Sequence, residues 1–301
     1  MKLATTTGDF GAYSKDQMEA MAYIRQAGFR YMDYNFGRDF AKKEGFFSAD
    51  PKAHQQAVKE QMDRLGVRFV QSHSPMGRPI VKNEDYEAFM EGTKTCIRAA
   101  AALDIPGVVV HSGYAPDISK GEAFERNKEF YDELLTVAEE CGVNIWIENF
   151  NRMSKENVYW IDNAPDLREL IDYIDHPLCH ACWDAGHGNM QEMPQDESLR
   201  ILGSHVQALH IQDTLADRDS HLYPFCGSLN FDSLMKGLFD INYQGFFTFE
   251  AASMFKGADK RRPFAEDTRL ARAPLSLRLK EEELLYEIGK TVLTAYDCFE
   301  E

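Results

Sequence analysis

The chain has 301 residues, 44% hydrophobic and 27% charged, with 20 Gly and 11 Pro, which excludes a disordered or low-complexity polymer. Lys and Arg total 33 against 49 Asp and Glu, so a net charge of −16 repels a phosphate backbone, and nucleic acid is not an expected partner. No run approaches the ~18 apolar residues a membrane span needs, and MKLATTTGDFGAYSKD lacks a signal-peptide core, so a cytoplasmic protein without a membrane partner is expected.

In chain order, Lys2 to Thr6 reads as a first strand. Ser14 and Gln17 form a capping box, Met18, Met21 and Ala22 follow at helical spacing, and Gly28 stops the helix before the short aromatic run Phe29 to Tyr34. Asp50-Pro51 opens a helix with Val58, Met62 and Leu65 on one face, Gly66 closes it, and Val67 to Gln71 is a strand. The unit recurs. Helices are expected over Asn83 to Leu103, Gly121 to Cys141, Pro165 to Ile174, Glu197 to Leu202 and Phe231 to Phe239. They alternate with strands over Gly107 to Val110, Val143 to Ile147, Cys179 to Trp183, Val206 to Ile211 and Phe246 to Phe249, and Leu279 to Phe299 is a closing helix. The strands are continuous apolar runs such as VVV and NIWI, as in a parallel sheet buried on both faces. Eight strands in one linker-free chain predict an α/β fold, a single-domain (β/α)8 TIM barrel over 1–301, with a basic loop and C-terminal helix at about 252–301. A doubly wound open sheet is the alternative.

At the C-terminal ends of successive strands stand Asp33, His73, His111, Glu148, Asp184, His210 and Glu250. In a barrel these ends meet at one mouth, and buried carboxylates beside imidazoles suit a cation such as Mn, Co, Mg or Zn. Six cysteines in a chain of this size are expected as free thiols, and the lone CxxC of Cys179 and Cys182 is a weak zinc or redox signal.

The runs IEN at Ile147 to Asn149, WDAGH at Trp183 to His187, LHIQD at Leu209 to Asp213 and FE at Phe249 to Glu250 resemble the strand-end motifs of the sugar phosphate isomerase/epimerase superfamily, whose barrel is xylose isomerase-like. The resemblance covers about Lys2 to Ala251. It implies one divalent metal held by Glu148, Asp184, His210 and Glu250, a small sugar substrate contacted by His187, and a homo-oligomer. The same superfamily contains the apurinic endonucleases with three zinc ions. Here His73, His111, His187, Asp219 and His221 resemble their additional ligands, so a second metal site at His187, Asp219 and His221 and a phosphodiesterase activity form the alternative. Sugar-acting relatives carry a similar D-x-H-L-x-P-x-x-G run, here Asp219 to Gly227.

Two glutamates around one metal suit proton transfer beside a carbonyl, because the charge that forms on deprotonation is stabilised where it develops. The expected reaction is isomerisation or epimerisation of a ketose or related polyol ketone, phosphorylated or not, through a metal-bound enediolate. Glu148 and Glu250 are the acid/base pair, and His73 and His111 contact substrate hydroxyls or a second metal. Two loops are candidate walls. Residues 35–49 carry Phe36, Arg38, Phe40, Lys42, Lys43, Phe46 and Phe47, suited equally to covering a sugar or to a solvated loop whose Phe anchor to its own scaffold, and Lys256 to Lys280 holds eight basic residues against three acidic, suited to an anionic substrate or an acidic neighbouring subunit.

Overall fold

The computed structural model describes residues 1–151, 159–251, 254 and 273–301. Its eight strands are β1 (Lys2–Thr6), β2 (Tyr31–Asn35), β3 (Arg68–His73), β4 (Gly107–His111), β5 (Asn144–Glu148), β6 (Cys179–Asp184), β7 (Val206–His210) and β8 (Phe246–Phe249). They pair in parallel in the order β7-β6-β5-β4-β3-β2-β1-β8. The Ile211 amide donates to the Thr248 carbonyl at 2.8 Å and the Glu250 amide to the Ile211 carbonyl at 3.1 Å, so the sheet closes on itself just past β7 and β8. This is the (β/α)8 barrel, not the open sheet.

The helices start and stop where backbone chemistry requires. Asp50 caps the helix Pro51–Leu65 and Asn163 caps Ala164–Ile174, each accepting from an amide of the first turn. Gly66 and Gly142 end Pro51–Leu65 and Lys120–Cys141 in the left-handed region, at φ 64° and 66°. The helix Gln17–Gln26 departs from expectation: its cap is Asp16, which accepts from the Glu19 amide, while the Ser14 hydroxyl donates to the Phe10 carbonyl. A short helical segment already ends the preceding stretch at Phe10, so Ser14 belongs to that turn.

Alternation along the strands separates two cores. Val108, Val110, Ile145 and Ile147 face the helices, whereas Val109, Trp146, Cys182 and Ala208 fill the barrel interior. Cys179 packs in the outer core and Cys182 in the inner one, so the CxxC makes no joint site, and all six cysteines are free thiols. Residues 35–49 are not an open wall: they form the helix Gly37–Lys42 and a turn of 3-10 helix at Gly45–Phe47. Phe36 and Phe46 are buried there against Tyr34 and each other, leaving no aromatic face of that pair for a sugar. The expected basic wall largely lies outside the described residues. Of its cations, Arg278 and Lys280 are described, on the helix Leu275–Ala295.

Candidate metal centre

The period of two that sends Val109, Trp146, Cys182 and Ala208 inward also sends the residue two places later inward: His111, Glu148, Asp184 and His210. Each stands at or next to the C-terminal end of its strand, where it forms the top polar layer of the interior. Gln71 and Thr248 lie a layer below, joined by a 3.0 Å hydrogen bond, and His73 and Glu250 follow two residues after each. The Gln71 amide also donates to Asp33 at 2.8 Å, which places Asp33 at the floor of the site.

Glu148, Asp184, His210 and Glu250 each offer a ligand atom within 4.8 Å of the others. Glu148 Oε1 and His210 Nδ1 face each other at 3.1 Å, both buried and neither hydrogen-bonded. His210 Nδ1 is also 3.5 Å from Glu250 Oε2. Buried polar atoms without partners are costly, so lone pairs aimed at a common point mark a site built for a cation. Three carboxylates and one imidazole make an oxygen-rich donor set that fits Mn, Co or Mg and also admits Zn.

Backbone and amide contacts fix these ligands. Asp184 caps the short helix Ala185–Asn189 and accepts from the His187 amide at 2.6 Å. Its backbone is held by Asn149 through a pair of bonds at 2.7 and 3.0 Å, and the Gln212 amide lies 3.3 Å from both carboxylate oxygens. Gly186 must be glycine because a Cβ there would sit 2.4 Å from the Gln212 side chain.

On one side, His111 Nε2 meets Glu148 Oε2 at 2.8 Å and His73 Nε2 at 3.2 Å, and the rings of His73 and His210 stack with centroids 5.5 Å apart. On the other, His221 Nε2 meets Asp219 Oδ1 at 2.9 Å, with its Nδ1 on the Glu250 carbonyl at 2.7 Å. His187 Nδ1 is held by the Asn149 carbonyl at 2.9 Å, and its Nε2 stops 3.6 Å from Asp219, without a hydrogen bond. His187, Asp219 and His221 thus form a second cluster of compact ligand geometry.

Burial and charge compete in this layer. Burial raises Glu148, but His210 and His111 outweigh it and hold the carboxyl well below its usual range. Burial also depresses His210, and the neighbouring acids reverse this, holding the ring well above normal. Asp184 is pushed up to about 6 by burial, against the pull of His187. His187 is lifted to about 10: burial lowers it, and Asp184, Asp219 and Glu148 more than compensate.

Residues 21–273 match the model of the xylose isomerase-like TIM barrel family. The chain belongs to that family. An uncharacterized protein of Methanocaldococcus jannaschii is 28% identical over 226 residues, covering 72% of this chain and 75% of that one. A D-psicose 3-epimerase of Ruminiclostridium cellulolyticum is 30% identical over 132 residues, covering 44% of this chain and 42% of the enzyme, less than half its length. The solved D-psicose 3-epimerase of Clostridium cellulolyticum H10, in structures with D-tagatose, shares the fold with a TM-score of 0.75. It is 18% identical, over 97% of this chain and 99% of that one.

All the strand-end residues singled out in the sequence converge in this xylose isomerase-like barrel. The three amides that orient them, Gln71, Asn149 and Gln212, were missed: an uncharged amide carries no charge or spacing signal. Asn149 and Gln212 do lie inside the IEN and LHIQD runs.

Proposed function

We propose that this barrel is a divalent-metal-dependent isomerase that epimerises or isomerises a ketose or related polyol ketone by moving a proton beside the carbonyl. The observation that carries the reading is the placement of Glu148 and Glu250. They come from β5 and the end of β8, and both carboxylates approach His210 Nδ1, at 3.1 and 3.5 Å. The relatives named D-psicose 3-epimerase support the class. A divalent ion held by Glu148, Asp184, His210 and Glu250 would polarise the carbonyl and its neighbouring hydroxyl and stabilise the charge that deprotonation creates.

The chain's own groups do the rest. One glutamate accepts the proton from carbon while the electron pair of the C–H bond moves toward the carbonyl oxygen. The other returns a proton to the opposite face of the same carbon, giving the epimer, or one carboxylate carries it to the adjacent carbon, giving the isomer. His187, held at Nδ1 by the Asn149 carbonyl and without a hydrogen bond at Nε2, presents Nε2–H to a substrate oxygen. His73 and His111, packed against Glu148, orient its carboxylate and line the substrate's path. Among the described residues no helix is long and apolar enough to cross a membrane, and the proposed partner is a small sugar.

The test is solvent deuterium incorporation at the carbon next to the carbonyl, over a panel of ketoses and their phosphates with Mn, Co or Mg. Glu148→Gln and Glu250→Gln each keep the shape and remove the basicity, and each should lower turnover roughly 100-fold or more. A substrate that turns over without exchange would replace proton transfer with a hydride shift and remove both glutamates from these roles. A second reading, a multinuclear phosphodiesterase, is favoured by the cluster of His187, Asp219 and His221 and opposed by the net charge of −16.

A further inference from the structure

Beside the metal centre lies a cavity of about 460 Å³, between the segments that follow β3, β4 and β5. His111 lines it, but Glu148, Asp184, His187, His210 and Glu250 do not, so this volume is additional to the space over the carboxylates. Its walls are largely carbon: Met76, Pro79, Tyr114, Pro116, Phe150 and Tyr159. The rings form a continuous row leading out of the site. Phe150 stands 5.5 Å from the His187 ring and 4.9 Å from His111, Tyr159 stacks on Phe150 at 4.6 Å, and Tyr114 follows at 5.4 Å.

Two of the hydroxyls in the wall, those of Tyr159 and Ser112, are already engaged. Tyr159 donates to the Ser112 carbonyl, and its oxygen lies 3.1 Å from the Ser112 hydroxyl. A planar aromatic group placed against this row of rings gains both area burial and ring-to-ring contact. The loops after β3 and β4 are in direct contact at the cavity, where a Cβ on Gly113 would fall 2.8 Å from the Ile80 backbone. Its volume falls within the roughly 300–1,000 Å³ of small-molecule sites.

We propose that the cavity is an aglycone subsite and that the substrate is a glycoside with an aromatic aglycone. Its sugar sits over the carboxylates and its aglycone lies against Tyr114, Phe150 and Tyr159. The inference rests on the proposed proton transfer and narrows its substrate. The ketone then stands on a ring carbon other than the anomeric one, because an anomeric carbon closed by an aglycone has no carbonyl to acidify its neighbour.

Binding separates this from the reaction itself. Metal-loaded protein is titrated calorimetrically with phenyl β-D-glucoside and methyl β-D-glucoside, neither of which can react. The phenyl glycoside should bind about 10-fold tighter or better, from one additional stacked ring and its buried area. Tyr114→Ala, and independently Met76→Trp, which fills the cavity from its exposed rim, should each collapse that ratio toward one, with folding checked by thermal melts. Equal affinity of the two glycosides, or a preference that survives both substitutions, overturns the subsite. So does tight binding of glucose 6-phosphate that needs Arg78, the cation at the rim, without any phenyl preference. A phenyl preference together with no deuterium exchange in any keto sugar or 3-keto glucoside leaves the subsite standing and refutes the proposed reaction instead.

Discussion

Arg278 should be the most damaging surface-remote position to neutralise. Its side chain is fully buried at the start of the helix Leu275–Ala295, where Nη2 meets Glu282 Oε2 at 2.7 Å and Asp9 Oδ1 at 3.7 Å, and Nη1 meets Glu281 Oε2 at 3.6 Å. It also donates to the Tyr223 hydroxyl at 3.0 Å and lies 4.9 Å over the Phe10 ring. Arg278→Met keeps much of the volume and leaves Asp9, Glu281 and Glu282 without their cation. Breaking a buried pair in this way costs about 3–5 kcal/mol. At roughly 2 °C per kcal/mol for a domain of this size, Tm should fall by about 6–10 °C. The loss should depend on pH with a definite sign. Burial raises Asp9 and Glu282 above their ordinary values and Arg278 opposes it, so removing the cation raises both further. A carboxyl raised in the folded state contributes stability at pH below its unfolded value and loses it as pH rises through the folded value. The deficit of the variant should therefore be larger at about pH 8 than at about pH 5. Melting both proteins by circular dichroism at the two pH values measures it. A Tm within about 1 °C of wild type at both would mean that the carboxylates find water instead, and the clamp would have no energetic role.

The metal assignment predicts that His210→Ala reduces bound divalent metal, measured by elemental analysis, from one per chain to near zero; unchanged stoichiometry refutes the ligand set. The sugar reading predicts that metal-loaded protein leaves an abasic-site duplex intact at physiological salt. Efficient incision would promote the phosphodiesterase reading and make His73, His111, Asp219 and His221 ligands.

The barrel was legible because each unit announces its end chemically. Gly66 and Gly142 occupy the left-handed backbone that ends a helix, and the apolar runs that follow are buried on both faces, so unit count and strand type agree. Strand ends were less visible. Val143 to Ile147 reads as apolar, yet β5 runs on to Glu148, because the ladder is set by backbone pairing with His111 and Cys182 and ignores side-chain polarity. The ring of acids and histidines was legible for the same reason it works: in a parallel barrel every strand delivers its last residues to one mouth. The Arg278 clamp was not. Its Glu281 and Glu282 pairs lie at local i,i+3 and i,i+4 spacing, but nothing in the sequence joins Arg278 to Asp9 and Tyr223, which come from distant parts of the chain. The aromatic residues of 35–49 are ambiguous in sequence between a ligand wall and a self-anchored loop, and burial of Phe36 and Phe46 decides for the anchor.

His187 links the two clusters, and its chemistry ties the number of metals to the reaction. The Asn149 carbonyl has no proton to give, so His187 Nδ1 must carry the hydrogen of their 2.9 Å bond. Its Nε2 then has two exclusive states. Protonated, as Asp184, Asp219 and Glu148 favour, it can donate to a substrate oxygen but cannot ligate. Deprotonated, it can ligate beside Asp219 and His221, at the cost of the proton those acids hold in place. A first cation on Glu148 and Asp184 leaves Asp219 as the acid that favours the proton, and a second cation beside Asp219 and His221 would take that acid too. One metal per chain therefore goes with His187 as hydrogen-bond donor to a sugar, and two or three with His187 as ligand in a phosphodiesterase. The elemental analysis that tests His210 thus also decides which of the two chemistries this polar layer is arranged to perform.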